Sequence, residues 1–196
     1  LAAGHQPSTV IARLSGTSHG GMTVRIESTG ATAVLIAPNG TTVGTSSLDL
    51  VLAAGATDAS FFLQAPETLT GAAMITATVL NDLIGVTPAS DSFDVVTPAL
   101  RITGLAATTS SVDAQDVLSV DCGVPNAGQT TLSALQRVRA GSSLVVSVSN
   151  SAAGVGQLVT TALTGQLVQA TIAANTDGTP ASVATGGIAF DPIAAG

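Results

Sequence analysis

The sequence lacks Trp, Tyr and Lys altogether, and Phe occurs only four times in 196 residues. Without large aromatic rings, a core has to be built from Ala, Val, Leu and Ile, and thin aliphatic layers of this kind suit packed β-sheets. Charged residues make up 9% of the chain, against about 25% in typical soluble proteins. Because apolar residues still make up 45%, the chain has enough apolar surface to fold.

The few charged residues are mostly acidic, which gives a net charge of -7. A phosphate-binding surface needs clustered Lys and Arg, so we expect no nucleic-acid partner. No apolar run approaches the roughly 20 residues that cross a bilayer as a helix, because Thr, Gln, Ser or Gly interrupts every candidate. We therefore expect no membrane span.

Cys122 is the single cysteine, which excludes an intramolecular disulfide and any zinc site with several cysteines. It lies in the stretch VLSVDCGVP. Strand alternation there would place Leu118, Val120, Cys122 and Val124 on one face. We predict that Cys122 is a small buried apolar residue rather than a reactive thiol.

Short apolar runs recur between polar turns, and no stretch shows a sustained helical period. We predict seven strands in the first half of the chain, at 8–14, 22–28, 33–37, 48–53, 59–65, 73–79 and 91–97. We predict six more in the second half, at 100–107, 117–124, 144–150, 156–161, 166–173 and 182–190. The best helix candidate is TLSALQRVR at 131–139. Many short strands joined by turns such as Pro38-Asn39-Gly40 predict an all-β sandwich fold.

The two halves can be laid over one another, which predicts a diverged internal duplication. The matching stretches are STVIARL with LSVDCGV, MTVRIEST with LVVSVSNS, and LDLVLAAG with VQATIAAN. We place the boundary at Pro98, between domains 1–98 and 99–196. The second domain has no counterpart of the AMITATV and DSFDVVT strands, so we expect it to lack its last hairpin. Completing strands would come from the same polypeptide or from an adjoining copy.

The stretches HGGMTVRIES, LDLVLAAGATDASFFLQA and TGAAMITATV, with a Pro-Asn-Gly-Thr-Thr turn between the first two, carry a family resemblance. The chain resembles the immunoglobulin-like repeats of very large bacterial surface or secreted proteins, and its second half fits the same style. The resemblance implies two tandem immunoglobulin-like β-sandwich domains, an extracellular or cell-surface location and no catalytic residues. Invasin-like and cadherin-like modules are neighbouring possibilities.

Catalysis has little support in the sequence. A hydrolytic triad needs a base, and the candidates are His5 and His19, which lie beside turn residues in AGHQP and TSHGG. We expect both to be solvated loop residues. No nucleophile elbow, phosphate-binding loop or dinucleotide fingerprint occurs in its required setting. We predict that the chain is not an enzyme and binds no cofactor.

Calcium is the more specific metal hypothesis, because many extracellular sandwiches stiffen their junctions with Ca²⁺ bound to carboxylates. The acidic candidates are Asp82, Asp91, Asp94, Asp113, Asp116 and Asp121. They are scattered and form no dense D-x-D run. We favour solvated turn acids over a calcium site, and we predict no metal ligand.

The segment 125–143 is longer than its counterpart SGTSHGG and contains Arg137 and Arg139, the closest basic pair. Loops at the end of a sandwich often bind partners, so these two arginines are the candidate partner contacts. The other interpretation, which we favour, is a helical connection whose leucines and valine cover the open end of the core. Its covering residues would be Leu132, Leu135 and Val138.

Together with the strand pattern, the resemblance implies a structural repeat module of a long extracellular bacterial surface or fibre-forming protein. It would act as a semi-rigid spacer or filament segment, with adjoining copies of the same repeat as its partners. The absence of Lys makes tryptic sites scarce, which suits an extracellular location. The alternative is an adhesive module that binds a glycan or protein through the 125–143 loop or a strand edge. Sugar binding usually uses exposed aromatic rings, and Tyr and Trp are missing.

Overall fold

The structure is a computed structural model, and it describes residues 1–7, 9–30, 32–81 and 85–195. The described residues form seventeen β-strands and one 3-10 turn, with no α-helix, which confirms the all-β prediction. In the same residues, no helix has the length and apolar character to cross a membrane. The chain divides into two compact units. The first comprises Leu1–Pro98 with Arg139–Gly141, and the second comprises Ala99–Val138 with Ser142–Gly196.

The first unit contains two antiparallel sheets. Its strands are β1 (His5–Gln6), β2 (Val10–Arg13), β3 (Met22–Thr29), β4 (Leu35–Ala37), β5 (Ser47–Leu52), β6 (Asp58–Gln64), β7 (Gly71–Val79) and β8 (Ala89–Val95). One sheet has the order β2-β6-β4, and the other has the order β5-β3-β7-β8.

The two sheets of the first unit share one apolar core. Met22, Val24 and Ile26 alternate along β3 with half-buried polar residues, as the side-chain period of a strand requires. They belong to the same buried cluster as Phe61 and Leu63 of β6. Since the cluster draws side chains from both sheets, the sheets pack face to face.

The second unit also contains two sheets. Its elements are β9 (Ala99–Thr103), β10 (Asp116–Pro125), β11 (Leu132–Leu135), β12 (Arg137–Val138), β13 (Leu144–Ser149), β14 (Gly156–Val159), β15 (Thr164–Gly165), β16 (Leu167–Ile172), the 3-10 turn η1 (Val183–Thr185) and β17 (Ile188–Pro192). The larger sheet has the order β11-β10-β17-β14-β15, and β9 pairs with β10 as well. The smaller sheet consists of β13 and β16.

Leu118, Val120 and Cys122 lie in the core of the second unit, as the alternation in VLSVDCGVP predicts. Val146 of β13 and Val168 of β16 belong to the same cluster, so the two sheets again face each other. The predicted burial is wrong for the next residue on this face, Val124. Val124 is only half-buried, and the register with β11 shifts between Val124 and Pro125.

Both units arrange their strands in the same order. The sheet β2-β6-β4 of the first unit has its counterpart in β10-β17-β14, and the pair β5-β3 has its counterpart in β16-β13. Met22 lies opposite Leu52, and Leu144 lies opposite Ile172. The first unit adds β7 and β8 beyond β3, whereas no described residue forms a strand pair on that side of β13.

Two elements differ from the sequence predictions. The helix predicted at 131–139 is wrong, because the segment forms β11 and β12, and β11 pairs with β10. The strand predicted at 182–190 is replaced at its start by η1, and β17 begins only at Ile188. The strands β1 and β15 were not predicted. Each remaining predicted strand overlaps an observed one, although Ser8 of the 8–14 prediction lies outside the described residues.

Candidate functional site

The candidate loop 125–143 begins with a turn organised by Asn126. The Oδ1 atom of Asn126 accepts the backbone N–H of Thr130 at 2.9 Å and that of Thr131 at 3.3 Å. Ser133 donates its hydroxyl to the carbonyl oxygen of Pro125 at 3.1 Å. These bonds satisfy the turn locally and lead the chain into β11. The loop is therefore a structured hairpin rather than a helical cap.

The apolar residues of this loop only partly cover the core. Leu132 and Val138 are buried, and Val138 belongs to the core cluster of the second unit. Leu135 is 47% exposed, so it does not act as a core residue. A helix would have placed all three on one face, whereas the strand pairing with β10 separates them.

Arg137 and Arg139 have different environments. The Arg139 side chain is 16% exposed and forms a bidentate ion pair with Glu67, both residues belonging to the first unit. Its Nε and Nη2 atoms donate to the two carboxylate oxygens, each at 2.9 Å. Arg137 is exposed and forms no ion pair with a described residue. Arg137 is the more accessible candidate, and partner contact at this loop stays a prediction.

Three further arginines pair with aspartates directly opposite them on neighbouring strands. Arg25 of β3 faces Asp49 of β5, with Nε and Nη2 each 2.7 Å from a carboxylate oxygen. The other two pairs are Arg13 with Asp58 and Arg101 with Asp121. Hydrogen bonds from the arginines hold the pKa values of Asp49 and Asp58 below their usual value. Sequence reasoning missed these pairs, because they become visible only when the strand register is known.

Two of the carboxylates considered for calcium are held by different partners. Asp113 accepts the Ser110 N–H at 2.6 Å and closes a turn, and Asp121 accepts Nη2 of Arg101 at 2.8 Å. Asp82 lies outside the described residues. In the part of the chain that the structure describes, no three His, Cys, Asp or Glu residues are grouped so that they could hold a metal ion.

The expectation that both histidines are solvated is wrong for His5. His5 is 2% exposed in β1, where its Nδ1–H donates to the Ala3 carbonyl oxygen at 2.7 Å. Its Nε2 atom is buried and has no hydrogen-bond partner among the described residues, and burial lowers the pKa of the ring. His19 is half-buried. Its Nε2 lies 2.8 Å from the Ala56 carbonyl oxygen, so this ring holds a loop in place.

Cys122 is fully buried, as predicted. Its Sγ atom lies 3.4 Å from the carbonyl oxygens of both Gln136 and Asp177, either of which can accept the S–H. Burial, with the nearby charges of Asp177 and Asp121 acting in the same direction, raises the pKa of this thiol to about 12. Because the thiolate is the reactive form, Cys122 is chemically inert in the folded chain.

A cavity of about 300 Å³ lies in the first unit between β2 and the β7–β8 pair. Its inner wall is apolar and includes Val10, Phe61 and Ile75. Arg13 and Asp91 are among its polar lining residues, and Arg13 is already paired with Asp58. The described part of its lining is therefore mainly apolar.

Comparison with protein-family models, with curated proteins and with solved structures finds no match for this chain. The resemblance to immunoglobulin-like repeats therefore stays a prediction from the residues. The function has to be inferred from the fold and from the surfaces described above.

Proposed function

We propose that the chain consists of two tandem immunoglobulin-like sandwiches that serve as a structural repeat module. It belongs to a long extracellular bacterial surface or fibre-forming protein, in which it acts as a semi-rigid spacer or filament segment. The observation that carries this proposal is the shared strand order, β2-β6-β4 with β5-β3 and β10-β17-β14 with β16-β13. Repetition of one module lengthens a protein without requiring a catalytic or binding site in each copy, and a spacer needs only length.

The use of charged and reactive residues supports a structural role. Four of the five arginines form ion pairs with carboxylates. Cys122 and His5 are buried, and the His19 ring forms a hydrogen bond with the Ala56 carbonyl oxygen. These side chains therefore make contacts within the folded chain. Every arginine except Arg139 also lies within a β-strand, where trypsin has poor access to the backbone, and this suits an extracellular location.

The alternative function is an adhesive module, and the exposed Arg137 is the observation that favours it. An exposed Arg can bind a carboxylate or sulfate group on a protein or glycan through two parallel hydrogen bonds. A ligand whose binding is lost in Arg137→Ala, with the fold intact, would support this alternative. The lack of Tyr and Trp counts against sugar stacking.

Mechanical unfolding of single molecules tests the spacer proposal. When the chain is pulled from its two ends, we expect two separate unfolding events. Each should release roughly 30 nm, because half of the chain extends at about 3.4 Å per residue. Phe61→Ala should weaken only one event and Leu118→Ala only the other, since each side chain lies in a different core. Extension without resistance, or a single event that releases the whole chain, would contradict the proposal.

A further inference from the structure

The strand β13 has an open edge. It pairs with β16 on one side, and no described residue pairs with it on the other. Its six residues, LVVSVS, include no charge and no proline. Natural edge strands usually carry charges, proline or bulges that prevent pairing with other chains. In the first unit, the edge strand β8 carries Asp91 and Asp94, whereas β13 has no such protection.

One hydrogen bond shows which residues of β13 point towards the open edge. The Asn150 N–H donates to the Gln166 carbonyl oxygen at 2.8 Å, on the β16 side. Backbone N–H and C=O groups alternate in direction along a strand. The backbone groups of Val146 and Val148 therefore also point towards β16. Val145, Ser147 and Ser149 therefore direct their N–H and C=O groups towards the open edge.

The first unit indicates what kind of element covers this position. Ser28 donates its N–H to Ser46 on the β5 side of β3, as Asn150 does to Gln166 on the β16 side of β13. The opposite side of β3 is filled by β7, which is antiparallel to it. The first unit thus builds four strands where the second has two. An antiparallel strand therefore fits the open edge of β13, as β7 fits the equivalent edge of β3.

We propose that the open edge of β13 pairs with the β13 edge of a second copy of this chain, antiparallel and around a two-fold axis at Ser147. Such a pair is self-complementary, because both edges present the same groups in opposite directions. Val145 then lies opposite Ser149 of the second copy, and Ser147 lies opposite its own equivalent. These pairs exchange about six hydrogen bonds.

The side chains of β13 fit this pairing. Val146 of one copy comes beside Val148 of the other on the core-facing side, where both valines already belong to the apolar cluster. No like charges meet, because β13 contains none. The result is a four-stranded sheet with the order β16-β13-β13-β16, equal in strand number to β5-β3-β7-β8. The inference rests on the proposed function, for which it specifies how adjoining copies join.

Sedimentation equilibrium of the 196-residue chain over a wide concentration range tests the pairing. We expect a reversible dimer of twice the 19.0 kDa mass. Ser147→Pro removes the central edge N–H and leaves the bonds to β16 in place, which an edge strand tolerates. We expect association at least tenfold weaker in this variant. Ser147→Ala is the matched control, since it keeps the N–H and should dimerise like the parent chain.

A second variant covers the case in which proline disturbs the fold. Ser147→Lys places two like charges across the two-fold axis, so it should be monomeric at low salt and recover part of its association at high salt. Circular dichroism spectra should match the parent for both variants. A parent chain that stays monomeric at every concentration would overturn the inference, as would dimers of undiminished strength in Ser147→Pro and Ser147→Lys.

Two outcomes separate this inference from the proposed function. A monomer in which the edge amides of Val145, Ser147 and Ser149 resist hydrogen exchange would mean that another element covers the edge. That result would overturn the pairing and leave the spacer proposal standing if the two mechanical unfolding events persist. Loss of those two events would contradict the spacer proposal even if the chain forms the dimer.

Discussion

Ion pairs between opposite residues fix the strand register at the scale of single residues. A slip of one position would carry Arg25 to the opposite face of β3 from Asp49, and the same holds for Arg13 and Asp58. Ion pairs this exposed contribute little to stability, because water and salt screen them. Their main contribution is to specificity, since only one register allows both bidentate contacts.

His5 should make the first unit sensitive to mild acid. Burial lowers the pKa of the folded ring below its usual 6.5, so the unfolded chain binds a proton more readily. The corresponding stability is fully present above pH 6.5 and is lost as the pH falls below it. We expect the urea midpoint of the first unit to fall between pH 7 and pH 5.5, as followed by circular dichroism.

His5→Gln is the control for this effect. A glutamine can still donate a hydrogen bond, and it does not titrate. The variant should therefore show a smaller fall in the urea midpoint between pH 7 and pH 5.5, and the remainder should come from the Leu1 amino group, whose pKa burial also lowers. A parent chain with no fall over this range, or an equal fall in His5→Gln, would contradict the role assigned to the buried ring.

At the scale of elements, the close approach of neighbouring strands restricts which residue type can occupy a position. Gly123 lies where β10 meets both β9 and β11. A Cβ atom at this position would overlap the Ala134 carbonyl oxygen and lie 3.0 Å from the Gln136 amide nitrogen. Backbone atoms cannot rotate away as a side chain can, so glycine is required for the β10–β11 pairing.

Gly123→Ala should therefore destabilise the second unit by about 1–3 kcal/mol, the usual cost of overpacking. Gly165→Ala is the matched control. Gly165 is also a strand glycine in the second unit, but no atom of the described residues lies within 4 Å of the added Cβ. This variant should therefore leave the unit unchanged or slightly more stable. Urea unfolding measures both variants. Equal midpoints for the two would show that the β10–β11 contact is looser than described.

Local alternation was enough to predict most strands but not their long-range partners. Met22, Val24 and Ile26 follow a period of two, and all three are buried as that pattern predicts. Leu132, Leu135 and Val138 have helical spacing, yet the segment forms a strand that pairs with β10. A helix this short has little stability by itself, so the pairing determines the structure. His5 follows a turn-forming glycine, and only the folded environment determines its burial.

The candidate site was less predictable than the fold. Arg137 and Arg139 are close in sequence, but their roles differ because Glu67, more than seventy positions away from Arg139, pairs with one of them. The open edge of β13 has a sequence signal, namely six residues without charge or proline. That signal indicates an edge only when the strand order is known.

The central claim at the scale of the whole molecule is that one strand arrangement is built twice. The counterparts share the order of their strands, and they share the register of the β3–β5 and β13–β16 pairs. The larger differences lie outside this common set, in β7 and β8 of the first unit and in β9 and β11 of the second. A repeated arrangement of this kind is what a structural array requires.

Nuclear Overhauser contacts between Hα atoms across the strand pairs test this claim most directly. Such contacts are strong at antiparallel positions whose residues do not exchange backbone hydrogen bonds, where the Cα atoms are about 4.5 Å apart. The account predicts one contact between Thr23 and Val51 and an equivalent contact between Val145 and Thr171. If the contact in the second unit is missing, or is shifted by one residue from Thr171, the two units do not share one arrangement.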